Sequence, residues 1–143
     1  MTTSLHRDAR GSFGGDRLAP LLDDVMRPGV ITIAGDASVA HAQRALLAHG
    51  VHAILVLARN THQPMGWITT RGLLRWCDRD IALAPAINAV TEPAVVLSPS
   101  ASAHDALEAL EREACTRVLV ARRPDGLPEG VVSDVDLLRL LAR

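Results

Sequence analysis

The chain has 143 residues, 48% of them hydrophobic, and a formal charge of −1. That is enough for one domain, or two very small ones, with a buried core, and too apolar for disorder throughout. The charge lacks the basic excess of nucleic-acid binders, Phe13, Trp67 and Trp76 are too few for a base-stacking platform, and the absence of Lys removes P-loop and Schiff-base chemistry.

In chain order, "MTTSLHRDARGSFGGDRL" is polar and lacks an apolar signal-peptide core, which predicts a flexible tail over 1–18. No apolar run reaches the ~18 residues of a membrane span. Cys77 and Cys115 belong to no CxxC pattern and read as free thiols. The expectation is a soluble, cytoplasmic protein.

A short β-branched strand follows at Val30–Ile33, then a polar turn in which Ser38 is placed to cap a helix over Val39–His49. A nearly all-apolar strand, Ala53–Ala58, leads through "RNTHQP" to a third strand starting at Gly66 and a helix over 70–78. After "DRDIALAPA" the order recurs. There is a strand at Ala94–Leu97, then Ser102 as cap of a helix over Ala103–Glu113, on which Ala103, Ala106, Leu107, Leu110 and Ala114 form one face. A strand at Val118–Ala121, an Asp-Gly turn in "RRPDGLP", a strand from Gly130 and a Leu-rich helix over 134–142 complete it.

The recurrence is a sequence repeat. At an offset of 64 residues (31 onto 95), "ITIAGDASVAHAQRALLAHGVHAILVLARN" lies over "VVLSPSASAHDALEALEREACTRVLVARRP" without a gap, and "PMGWITTRGLLRW" over "PEGVVSDVDLLRL". Ser38/Ser102, Leu46/Leu110, Leu55/Leu119, Gly66/Gly130 and Leu-Leu-Arg at 73–75/137–139 coincide. A β-α-β-β-α unit of about 55 residues buries its sheet poorly alone, so two copies form one α/β (α+β) module with pseudo-twofold symmetry. The boundaries are a tail at 1–18, repeat 1 at 19–78, a linker at 79–86 and repeat 2 at 87–143.

"GVVSDVDLL" (130–138) sets Ser133 three residues before Asp136 at a strand-to-helix junction. The pair reads either as a capping box or as a grip on a hydroxylated ligand, since an ionised carboxylate offers two acceptor oxygens to a ribose diol. The sequence leaves both open.

Two units with the lead-ins "DDVMRPGVITI" and "INAVTEPAVVL" and the closing motifs "GWITTRG" and "GVVSDVD" resemble a tandem cystathionine-β-synthase (CBS) domain pair, or Bateman module. The resemblance covers about 23–142. It implies a regulatory module for adenosine-containing ligands (AMP, ADP, ATP or S-adenosylmethionine), with two clefts between the copies. It further implies that Val131, Ser133 and Asp136 face Arg27, Val30, Ile31, Val51, His52 and Ala53 in one cleft, with Asp136 on the ribose and Arg27 and His52 as phosphate contacts. The second cleft would use Thr69, Thr91, Ala94, Thr116 and Arg117, but Gly72 stands where the family has Asp. The strands also lack the family's Pro, reading Ile54-Leu55-Val56 and Val118-Leu119-Val120. Those departures support an alternative, a structural homodimerisation module with degenerate clefts.

His52 on an apolar strand also fits a plain edge residue, and His41 and His49 have no third partner for a metal. Trp67 and Trp76 match Val131 and Leu140 of the other copy and read as packing residues. Nothing nucleophilic accompanies Asp134, so the chain reads as a non-enzyme without cofactor or metal. Leu137, Leu138, Leu140 and Leu141 spread round the last helix, which predicts a homodimer. The implied partners are an adenosine nucleotide, a second copy and a regulated protein, with neither nucleic acid nor membrane.

Overall fold

The structure, a computed structural model, describes residues 15–143. Most of the expected tail, 1–14, lies outside them, and its last four residues, Gly15–Leu18, form a 3-10 turn that buries Leu18. The strands are β1 (Arg27–Pro28), β2 (Thr32–Ala34), β3 (Ala53–Leu57), β4 (Pro64–Thr69), β5 (Val96–Leu97), β6 (Arg117–Val120) and β7 (Gly130–Ser133). The helices are α1 (Leu22–Val25), α2 (Val39–His49), α3 (Thr70–Leu74), α4 (Ala103–Glu113) and α5 (Asp134–Leu141). The α+β class and the twice-repeated element order stand as the sequence predicts.

Two compact units divide the chain. One joins the described residues up to Gly29 to Val95–Arg143, and the other is Val30–Ala94. The units therefore exchange the lead-ins of the two repeats. The first unit holds a four-stranded sheet in the order β1-β7-β6-β5, with β5 and β6 parallel and the other neighbours antiparallel. Its core gathers Leu18, Leu22, Ala106, Leu110, Val118, Val120, Val132, Leu137 and Leu140. The second unit has a three-stranded sheet, β2-β3-β4, over Ile33, Val39, Ala42, Leu46, Ile54, Val56 and Ile68.

The lead-ins dock by the same hydrogen bonds in both units. In the first, Ala103 N–H donates to Pro20 C=O (2.8 Å) and Leu22 N–H to Ala101 C=O (2.8 Å). In the second, Val39 N–H donates to Ala84 C=O (2.9 Å) and Ala86 N–H to Ala37 C=O (2.6 Å). Each lead-in thus satisfies a helix N-terminal donor that the helix itself cannot. Further on, it passes so close to a strand that only glycine fits beneath it. A Cβ on Gly130 would lie 2.5 Å from the Arg27 oxygen, and one on Gly66 would lie 2.4 Å from Val90 Cγ1.

Helices α2 and α4 begin where the serines place them. Ser38 accepts from His41 N–H, and Ser102 forms a reciprocal capping box with Asp105. Ala114, expected on the apolar face of α4, instead ends that helix at φ 52°, where Gly50 ends α2 at φ 62°. A left-handed alanine carries strain that a glycine does not. The helix expected over 70–78 stops at Leu74, because Arg75, Trp76 and Arg79 donate to Gly72, Leu73 and Trp76, tightening the chain into turns. Among the described residues no helix is long and apolar enough to cross a membrane.

Candidate functional site

Strand β7 and helix α5 present the Ser-x-x-Asp motif. The extended Ser133 (φ −102°, ψ 168°) is the N-cap of α5, and its hydroxyl receives Asp136 N–H at 3.3 Å. Asp136 Oδ2 in turn receives Ser133 N–H at 2.9 Å and the Ser133 hydroxyl at 3.0 Å. The capping-box reading is therefore realised in full.

It is only half of what Asp136 does. The residue is 7% exposed, and a carboxylate that buried needs compensation. Oδ1 receives Arg27 Nε–H at 2.8 Å from β1 and Arg139 Nη1–H at 3.4 Å from the next turn of α5. Arg27 reaches it because β1 lies antiparallel on β7 with Arg27 opposite Val131. Asp134 and Asp136 also place negative charge in the first turn of α5, the favourable end of its dipole.

This unit brings together Arg27, Val131, Ser133 and Asp136 of the expected first site. It adds Thr116 and Arg117 of the expected second site: Arg117 pairs with Ser133 across β6 and β7, and Thr116 C=O accepts from Asp134 N–H at 2.9 Å. Val30, Ile31, Val51, His52 and Ala53 belong to the other unit, with Thr69, Thr91 and Ala94. There Ala53 pairs with Thr69, and the His52 carbonyl accepts from Thr70 N–H and Thr70 Oγ1 at 2.9 and 3.1 Å. The His52 side chain is exposed, and Val30, Ile31 and Val51 are partly buried.

The repeat offset makes the second unit an internal control. Thr91 occupies the position of Arg27, and Gly72 that of Asp136. Thr69 Oγ1 accepts from Gly72 N–H at 3.0 Å, so the cap is kept. A Cβ on Gly72 would meet Thr91 Cγ2 at 3.0 Å and Thr91 Oγ1 at 3.1 Å. Where one unit sets an arginine on a carboxylate, the other sets a threonine against a glycine. Both members of the charged pair thus differ between the two units.

Arg139 is the site residue that sequence reasoning missed. Its signal was its i,i+3 spacing from Asp136, which sets the two on one helix face. Arg27 was identified, but as a phosphate contact rather than as the partner of Asp136. Among the described residues no cluster of His, Cys, Asp or Glu could hold a metal ion.

The sequence pattern of the CBS domain matches residues 22–79 and 86–143. No curated protein matches the chain. Among solved structures, a hemolysin-like protein containing a CBS domain from Oenococcus oeni is similar with a TM-score of 0.77 and 17% identity, over 92% of this chain and 96% of that one. A CBS domain protein from Pyrobaculum aerophilum complexed with AMP has a TM-score of 0.70 and 19% identity, over 86% and 99%. The CBS domain of a bacterial CNNM/CorC family Mg2+ transporter in complex with ATP has a TM-score of 0.75 and 17% identity, over 86% and 87%. At such identities these likenesses are likenesses of fold. With both repeats matched over most of its length, the chain belongs to the CBS domain family and carries two CBS domains in tandem.

Proposed function

We propose that the chain is a regulatory module that binds an adenosine-containing nucleotide at Ser133 and Asp136 and catalyses no reaction. The observation that carries the reading is a buried carboxylate at the first turn of α5, beside a guanidinium that is 59% exposed. A ribose diol suits the carboxylate and a phosphate suits the guanidinium. Similar folds holding AMP and ATP support the same ligand class.

A thermal-shift series with AMP, ADP, ATP and S-adenosylmethionine tests it. A ligand at ~100 times its dissociation constant stabilises the folded state by ~2.7 kcal/mol, which for a chain of this size raises Tm by roughly 5 to 10 °C. Calorimetry should then return about one strong site per chain, because Gly72 and Thr91 offer neither the carboxylate nor the guanidinium. Two equal sites would refute that asymmetry. No shift with any of the four would leave the structural reading, in which Asp136 serves only α5 and Arg27.

The reading includes a homodimer. Leu137 and Leu140 of α5 are buried in the core, whereas Leu138 is 64% exposed, Val135 48% and Leu141 38%. An apolar face of that kind is suited to a second copy. Light scattering at micromolar concentration should give about twice the 15.3 kDa chain mass. Leu138→Arg should return the protein to a folded monomer. A wild-type monomer would refute the dimer.

A further inference from the structure

We infer that the homodimer is antiparallel, with the basic helices α2 and α3 of one copy against the acidic helices α4 and α5 of the other. The inference rests on the homodimer reading and supplies its orientation.

The two repeats present the same helical face with opposite charge. In each unit two helices pack beside one another, α2 on α3 and α4 on α5. Leu74 and Leu138 occupy the same repeat position and are both exposed, so either unit offers an apolar centre. What surrounds that centre differs. Helix α2 carries Arg44 with His41 and His49, α3 carries Arg71, and neither has an acidic residue. In α4 the repeat positions of His41, Arg44 and His49 are Asp105, Glu108 and Glu113, all exposed, and Glu111 adds a further exposed carboxylate. The basic groups of the acidic pair are engaged within it. Arg112 Nε lies 3.2 Å from Glu113 Oε2, His104 Nε2 lies 3.9 Å from Glu108 Oε1, and Arg139 of α5 lies against the buried Asp136.

A twofold axis can join such faces in two ways. In a parallel dimer α2 meets α2 and α4 meets α4, which sets Arg44 and Arg71 against their own copies and the α4 carboxylates against theirs. In an antiparallel dimer α2 of each copy meets α4 of the other, and the symmetry makes that contact twice. The apolar centres do not choose between these arrangements, because Leu74 and Leu138 are equivalent. The charges do, since facing like charges penalise the parallel arrangement and facing opposite charges favour the other.

The test is sedimentation velocity over a concentration series of the full chain, as wild type, Arg44→Glu, Glu108→Arg and the double variant. Each single variant should weaken dimerisation about tenfold or more, because two symmetry-related contacts turn from attraction to repulsion. The double variant should recover to within about threefold of wild type, the signature of a coupled pair. An equimolar mixture of the two single variants should recover likewise, because both contacts of the mixed dimer again join opposite charges. Glu111→Arg replaces Glu108→Arg should loss of the His104 contact disturb α4. Single variants that dimerise as wild type does, or a double variant and mixture no stronger than the singles, overturn the antiparallel orientation and leave the dimer standing. A wild-type monomer overturns both.

Discussion

Gly66→Ala should destabilise the protein by about 3 kcal/mol, while Gly35→Ala should be nearly silent. Gly66 has φ 143°, a region that residues with a Cβ rarely enter, and the added carbon would lie 2.4 Å from Val90 Cγ1 and 2.7 Å from the Glu92 oxygen. Val90 and Glu92 are part of the lead-in that crosses β4, tied down by Trp67 N–H to Glu92 C=O at 2.9 Å and Thr91 N–H to Trp67 C=O at 3.0 Å. The contact can be relieved only by lifting that segment off its strand. Overpacking costs about 1 to 3 kcal/mol and a strained backbone about as much again. A Cβ on Gly35 meets its nearest atoms at 3.5 and 3.6 Å, ordinary contact distances, and φ there is not positive. Thermal denaturation of the two variants makes the comparison, with a fall of roughly 6 to 12 °C for Gly66→Ala. Equal melting points would show that the lead-in is not held against β4.

The contrast marks what a sequence of this kind carries. Helices α2 and α4 were legible to the residue, because a serine cap and an apolar face every three or four positions are local signals. The glycines at 66 and 130 were both expected to start strands, which holds for Gly130 whereas β4 begins earlier at Pro64, and the reason for either glycine was not legible. That reason is a lead-in arriving from elsewhere in the chain. Arg27 and Asp136 are 109 residues apart, and no local pattern joins them. The repeat offset held the clue, since Arg27 and Asp136 become Thr91 and Gly72 together in the other copy. Reading Gly72 alone suggested a lost ribose anchor. Reading both positions shows a contact pair replaced as a pair, with Thr91 filling the space beside Gly72. The shorter α3 was hidden for a different reason. Its leucines keep the helical spacing, but the chain after Leu74 is held by i to i−3 bonds, which spacing does not distinguish from a continuing helix.

Asp136→Asn should separate the ligand role of the carboxylate from its structural one, and both effects are expected. Asparagine has nearly the same shape and can still accept Ser133 N–H, so much of the capping box survives. It loses the charge that holds Arg27 and turns an amide toward one of the two donor sets. Arg27 is 59% exposed, so solvent screening keeps that ion pair to ~1 kcal/mol or less. With the weakened cap, the ligand-free protein should lose about 1 to 2 kcal/mol, or roughly 3 to 6 °C in Tm. The ligand effect is larger. Removing the charge from two hydrogen bonds to a ribose should weaken nucleotide binding about ten- to a hundred-fold. Consider a nucleotide at ~100 times the wild-type dissociation constant and a loss of about thirty-fold. Its stabilising effect then falls from ~2.7 to about 0.9 kcal/mol, and most of the Tm shift disappears. A structural module behaves otherwise. Its variant melts earlier by the same few degrees, but no adenosine nucleotide shifts either protein. A nucleotide shift of undiminished size in Asp136→Asn would move the binding site away from α5 altogether.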